Sequence, residues 1–228
     1  MKKIIFGIFA HPDDEAFGPS GTLLLETRAG TELHLISLTA GENGTNPDNL
    51  PDLGATRLEE WHAAGKLIGA TELHYLGFVD GTLSNMAFLE AVKRIEKIVR
   101  DVIETQTEDI EVEFMSMDLN GLTGHIDHIV AARAACFVFY KLKRQGLPLT
   151  RIRLACLAKE VVSEPNLDFV FMEPGRTADE ISETIDARSV VDEVYAIMRT
   201  HHTQRGDGES HITNHGKNVA INNFIVKT

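Results

Sequence analysis

IIFGIFAHPDDEAFGPSGTLLLETRAG, residues 4–30, holds the plan of the fold. The run from Ile4 to Ala10 is short, apolar and rich in Ile and Phe, the pattern of a parallel strand buried on both faces. It stops at a histidine, a proline and three consecutive acids, His11 to Glu15. From Ser20 the chain reads as a helix. Ser20 is a good N-cap type, Leu23, Leu24 and Leu25 load one side, and Gly30 suits the stop. TELHLISLTAG (31–41) then reads as a second strand.

The same alternation continues. Residues 42–54 are polar and turn-rich, a loop, and 55–70 place Leu58, Trp61, Ala64 and Ile68 at helical spacing. TELHYLGF (71–78) is a strand, and 87–105 put Phe88, Val92, Ile95, Val99 and Val102 on one helical face. Residues 110–118 read as a strand, 121–128 as a loop, and 129–143 as a helix. Residues 151–158 and 168–174 read as later strands, 190–202 as a helix, and 203–216 as a polar surface loop. Strand and helix in turn predict an α/β chain: a Rossmann-like, mostly parallel sheet with helices on both faces, in three α/β/α layers. Such sheets bind ligands beyond the carboxyl ends of their strands, where His11 and the segment after Asp118 both fall.

Composition narrows the function. With 34 acidic against 22 basic residues, the net charge of −12 argues against a nucleic-acid or acidic-membrane partner. No stretch approaches the roughly 20 apolar residues of a membrane span, and the start does not read as a signal peptide. Cys136 and Cys156 are not in a CxxC pair and read as buried thiols in a reducing compartment. The expectation is a cytoplasmic protein with a small-molecule substrate. No Gly-x-Gly-x-x-Gly follows the first strand, which argues against dinucleotide binding.

Pro12 should keep His11 extended at the strand's end while Asp13 and Asp14 enter a turn. His11 and Asp14, three apart, can then face one point with Asp13 beside it. Alone, Asp13, Asp14 and Glu15 read equally well as acids at a helix start, stabilised by its dipole. The second loop, with His125, Asp127 and His128, tips the balance. Catalytic zinc takes three ligands from His and carboxylate and keeps a position for water. His11, Asp14 and His128 supply that set. Asp13 would then act as general base, and His125 as proton donor or oxyanion stabiliser. Asp127 could orient His125, provided the chain turns there rather than running as a helix. Zinc is the expected metal, but a His₂Asp set also accepts Fe(II), Co(II) or Mn(II).

AHPDDE, a following GxxGTL and the later GHIDH together resemble the LmbE-like/PIG-L family of zinc-dependent N-deacetylases, most strongly over 1–80 and 118–135. The resemblance implies one such domain over 1–228, with a Rossmann-like sheet and the site at its carboxyl edge. It implies zinc ligands His11, Asp14 and His128, general base Asp13, and catalytic His125 with Asp127 as its partner. It assigns Arg57 of TRLEE to substrate binding, and His201 and Gln204 of HHTQ to the lining of the site. Thr203 replaces the family's usual Ser, and Ile126 its frequent Pro. The implied reaction is removal of an N-acetyl or other N-acyl group from an amino sugar or GlcNAc-containing molecule. Relatives often assemble, so a homo-oligomer is compatible with it. The alternatives are a metal-dependent phosphoesterase and a metal-binding pseudoenzyme.

Other residues take plainer readings. Trp61 reads as core and His62 as surface. His34 and His74, inside strands, read as half-buried structural histidines; each ends a Thr-Glu-Leu-His tetrapeptide, at 31–34 and 71–74. Asp80-Gly81 either approaches the substrate or only forms a turn. Glu15 reads as a helix-start acid bonded to nearby backbone, not a ligand.

Overall fold

The computed structural model describes residues 1–162 and 175–228. In chain order the elements are β1 (Lys2–Phe9), α1 (Asp14–Phe17), α2 (Ser20–Arg28), β2 (Glu32–Thr39), α3 (Leu53–Ile68), β3 (Glu72–Phe78), α4 (Asn85–Glu104), β4 (Ile110–Met117), α5 (Gly121–Gly124), α6 (Ile126–Arg144), β5 (Leu149–Cys156), β6 (Glu183–Asp186), α7 (Val191–Thr200), α8 (Arg205–His215) and β7 (Ile221–Lys227). The seven strands form one sheet in the order β3-β2-β1-β4-β5-β7-β6. β1 to β5 run parallel, while β7 pairs antiparallel with both β5 and β6.

Two-residue periodicity sorts the side chains of β1. Ile4, Phe6 and Ile8 join the core beneath α4 and α6, with Phe114, Ile152, Ile95 and Val138. Ile5 and Phe9 join the opposite core beneath α2, α3 and α7, with Leu23, Trp61, Leu35 and Val194. Both faces are covered, which is why the central strands read as unbroken apolar runs. Gly7 keeps the second face close-packed: a Cβ there would lie 2.9 Å from both Leu35 and Phe9 side-chain atoms. Among the described residues, no helix is long and apolar enough to cross a membrane.

Four features depart from the sequence reading. Ser20 is not an N-cap. It lies inside the first turn of α2, behind Pro19, and its hydroxyl donates to Ala16 O at 2.8 Å. α6 begins at Ile126, not near 129, so Asp127 and His128 sit in its first turn. Residues 205–215, expected to be loop, are the helix α8. This helix has no apolar stripe to announce it. It is held instead by Arg205 to Asp48, by Arg199 to Glu209 and by Gly208 packed on Phe17. Finally, β6 and β7 give the sheet its antiparallel edge, which the sequence reading lacks. The strand expected at 168–174 lies outside the described residues.

Candidate metal centre and active site

The loop after β1 folds back on itself through Asp14. Its Oδ2 accepts the backbone N–H groups of Ala10 and His11, both at 3.0 Å, which leaves Oδ1 facing His128 Nε2 at 3.1 Å. Burial would push the Asp14 carboxyl up, but His128, His11 and the backbone donor hold it well below the usual range. Asp13 occupies the left-handed region at φ 113°, ψ −24°, a conformation that costs a non-glycine residue energy. The strain aims its carboxylate at Arg57, 2.8 Å away. Burial pushes the Asp13 carboxyl up to about 6 despite that guanidinium.

The second loop enters the same space from the end of β4. Gly121 (φ 75°) and Leu122 (φ 66°) are both left-handed. Together they fold Gly121 O toward the His128 ring, whose Nδ1 lies 3.0 Å away. A carbonyl can only accept, so Nδ1 carries the proton and Nε2 presents a lone pair. His11 is oriented in the same way. Its Nε2 lies 2.9 Å from Asp80 Oδ1 and 3.3 Å from Asp127 Oδ2, so Nε2 carries the proton and Nδ1 is turned to His128 Nε2 at 3.1 Å. In neutral rings, two lone pairs would thus face each other beside the Asp14 carboxylate. Only a cation relieves that arrangement. A proton can serve: burial pushes His11 down, but Asp127, Asp80 and Asp14 outweigh it and raise it to about 10. A metal fits as well, because anchored carboxylates and a carbonyl behind each ring are the usual outer support of histidine ligands. The His11–Asp14 separation, 3.9 Å from Nδ1 to Oδ2, closes the set. The His11, His125 and His128 donors likewise lie within 4.8 Å of one another, as do those of His11, Asp80 and Asp127.

His125 caps α6, and its Nδ1 accepts the Asp127 backbone N–H at 3.2 Å. Its ring stands edge-on to His11, with centroids 5.0 Å apart, and 4.8 Å from His128. Burial pushes it down, with His128 and His11 adding to the effect, so the neutral imidazole is favoured. The expected side-chain pairing of Asp127 with His125 is corrected. Because α6 starts early, the Asp127 carboxylate swings toward β3. It accepts Gly81 N–H at 2.8 Å and Leu83 N–H at 3.0 Å while facing His11.

Arg57 comes from the buried stripe of α3 that also carries Trp61, Ala64 and Ile68. Its guanidinium donates to Gly41 O, Pro12 O and Asp13 Oδ2 at 2.7–2.8 Å. It lies so close over Gly41 and Gly44 that a Cβ at either would collide with it. His201 is fully buried, with Nε2 2.9 Å from Glu15 Oε1, while Glu15 Oε2 accepts the Asp13 N–H at 3.2 Å. Gln204 donates to Thr45 O, and the neighbouring Thr203 binds Glu60 through both N–H and hydroxyl. His201 thus buttresses the Asp13 turn through Glu15, Gln204 holds the loop between β2 and α3, and Thr203 holds α3; the bonds described for them run to protein groups. Sequence reasoning left Asp80 between two readings, read Glu15 as bonded to nearby backbone, as it is to the Asp13 N–H, without its tie to His201, and missed the Gly41/Gly44 cradle. Asp80 has a recognisable signal, an Asp-Gly turn at the carboxyl end of a strand on the same edge.

Residues 6–139 match the PIG-L family, described as GlcNAc-PI de-N-acetylase. A 1D-myo-inositol 2-acetamido-2-deoxy-alpha-D-glucopyranoside deacetylase of Acidothermus cellulolyticus is 27% identical over 237 residues, covering 90% of this chain and 80% of the relative. Among solved structures, an N,N'-diacetylchitobiose deacetylase from Pyrococcus horikoshii superposes with a TM-score of 0.69 at 18% identity, over 99% of this chain and 84% of that one. The 4-carboxy-2-hydroxymuconate hydratase of Pseudomonas putida superposes with a TM-score of 0.73 at 17% identity, over 100% and 97%. At such identities these two show a shared fold. The family match spans more than half of the chain, including both site loops, and the chain therefore belongs to the PIG-L family.

Proposed function

We propose that this chain is a divalent-metal-dependent hydrolase that removes an N-acetyl, or other small N-acyl, group from an amino sugar or GlcNAc-containing small molecule. The observation that carries the reading is the convergence of His11, Asp14 and His128 from two loops, with their outer nitrogens and oxygens already anchored. Family membership supports it, as does the acetamido sugar in the name of the Acidothermus relative.

His11, Asp14 and His128 would hold zinc, or Fe(II), Co(II) or Mn(II) in its place, and the bound ion would supply Lewis-acid polarisation of the acyl carbonyl and a water of pKa lowered to about 7. Asp13 removes the proton from the attacking water, held on line by Arg57 and by its left-handed backbone. His125 stabilises the developing oxyanion or hands a proton to the departing amine. Asp127 keeps His11 in its ligand tautomer and ties β3 to the site. Glu15 and His201 hold the Asp13 turn from below.

A two-metal phosphoesterase needs more carboxylate oxygens free for ions. The oxygens of Asp80 and Asp127 are engaged by Asn43, Gly81 and Leu83 N–H groups and by the His11 ring, which favours the single-metal amidase. Acetate release by metal-loaded protein across N-acetylated amino sugars and their glycosides tests the reading, with Asp13→Asn alongside. Turnover that disappears in the variant supports it. Equal turnover in both proteins refutes the role of Asp13, and silence across the panel with metal bound refutes the substrate class.

A further inference from the structure

The repeated Thr-Glu-Leu-His tetrapeptides are not absorbed by the site above. They place Glu32 and His34 near the start of β2, and Glu72 and His74 at the start of β3. These strands are neighbours, with His34 opposite Glu72 and Ile36 opposite His74. The two ring planes lie within 17° of each other with centroids 5.4 Å apart, so the imidazoles meet edge to edge. His34 Nδ1 lies 3.1 Å from His74 Nε2. Glu72 Oε2 stands 3.7 Å from His74 Nε2 and 3.9 Å from His34 Nδ1.

The far side of His34 is anchored. Its Nε2 lies 2.8 Å from Glu32 Oε1, and the other oxygen of Glu32 is held by Lys2 at 2.5 Å. A carboxylate only accepts, so Nε2 carries the proton and Nδ1 presents a lone pair to His74. Phe6 stacks on a face of the His34 ring at 5.1 Å and fixes its plane. The arrangement repeats the logic of the His11–His128 pair: two facing ring nitrogens, a carboxylate oxygen beside them, and a carboxylate behind one ring to set the tautomer. Metal–nitrogen and metal–oxygen bonds of about 2.0–2.2 Å in tetrahedral geometry put donor atoms roughly 3.3–3.5 Å apart. The three separations here, 3.1, 3.7 and 3.9 Å, bracket that range. The Glu72 side chain is 60% exposed, so an ion can enter from solvent and keep water as a fourth ligand.

We propose that His34, His74 and Glu72 form a second divalent-cation site, selective for zinc-class ions, near the amino ends of β2 and β3. Bound there, the ion ties edge strand β3 to β2, at the end of β3 opposite Asp80. This site is separate from the hydrolytic one and does not depend on the function proposed above.

Zn²⁺ bound per chain, measured by equilibrium dialysis at neutral pH, tests the site in wild-type protein, His128→Ala, His74→Gln and the double variant. The expected result is two ions in wild type, one in each single variant and none in the double. Glu72→Gln guards against misfolding, because that side chain is mostly outside the packed structure; it should weaken the second ion at least tenfold with unchanged circular dichroism. In the His128→Ala background, added Zn²⁺ should raise Tm, and His74→Gln should abolish the rise. A wild-type ion count that His74→Gln does not lower overturns the proposal. So does a residual ion in His128→Ala that survives both His74→Gln and Glu72→Gln, which would place it elsewhere.

Discussion

Two pairs of imidazoles in this protein face each other across the same 3.1 Å, one at the carboxyl edge of the sheet and one near its amino ends. Their settings differ. His11 arrives on the loop after β1 and His128 in the first turn of α6, beside segments that contain left-handed non-glycine residues, Asp13 and Leu122. His34 and His74 sit on regular neighbouring strands, and their geometry follows from strand register and a repeated tetrapeptide. The first setting supplies what catalysis needs beyond a cation site: a candidate base in Asp13, a third imidazole in His125, and a guanidinium to fix the base. The second supplies ligands alone. Strained loops can aim unlike groups at one point, whereas a strand places side chains only at its fixed period.

The largest expected effect is at the base. Asp13→Asn should lower kcat by about 10²–10⁴-fold while the metal stays bound, measured by acetate release and metal content in the same preparation. It would sharpen the contrast, because no group at the amino-edge pair plays that part. Next is a charged cluster that belongs to neither pair. Arg153 is buried between Glu26 and Glu113, at 2.7 and 3.1 Å. Arg153→Met should cost at most about 3 kcal/mol of stability at pH 7 by removing the buried cation between these carboxylates, with Lys3 and Arg151 remaining as their partners and the specific activity of the folded protein retained. Burial pushes Glu26 up, but Arg153 and Lys3 hold it below its ordinary 4.5. A depressed carboxyl stabilises the fold above its unfolded pKa, and that contribution is lost as pH falls through the folded value. The Tm gap between wild type and variant should therefore be full at pH 7 and narrow below about pH 4.

Asp127→Asn comes third, at about 10–100-fold in metal affinity or turnover, the usual cost of altering the partner behind a histidine ligand. The amide can still accept from Leu83 or Gly81, so a calorimetric Tm near wild type should accompany the loss. The smallest effect falls on the cradle beneath Arg57. Gly44→Ala introduces a Cβ into the guanidinium and should lower kcat/KM up to about tenfold, or ~1.4 kcal/mol, by shifting Arg57 off Asp13. An unchanged kcat/KM would mean that Arg57 does not position the base.

The central sheet was legible because burial on both faces writes itself into β1 and β2 as continuous apolar runs, and amphipathic α4 shows its stripe directly. The convergence of the two loops was legible for a topological reason, since parallel strands bring their carboxyl ends to one edge. What was hidden depends on tertiary partners. α8 is helical through Arg205–Asp48 and the packing of Gly208 on Phe17, and nothing in its own polar sequence says so. The direction of the Asp127 carboxylate hinges on α6 beginning three residues early and on N–H groups of the β3–α4 turn, which no local pattern reveals. The pairing of His34 with His74 needed the register of β2 and β3.

The proposed metal-dependent hydrolytic site is tested by acetate release from an N-acetylated amino sugar by chelator-stripped protein, titrated with Zn²⁺, Co²⁺ or Mn²⁺, in wild type and His128→Ala. Activity absent after stripping, restored in wild type by the metal and not restored in His128→Ala, is the predicted result. Turnover that survives complete chelation, or that returns equally in His128→Ala, would contradict it.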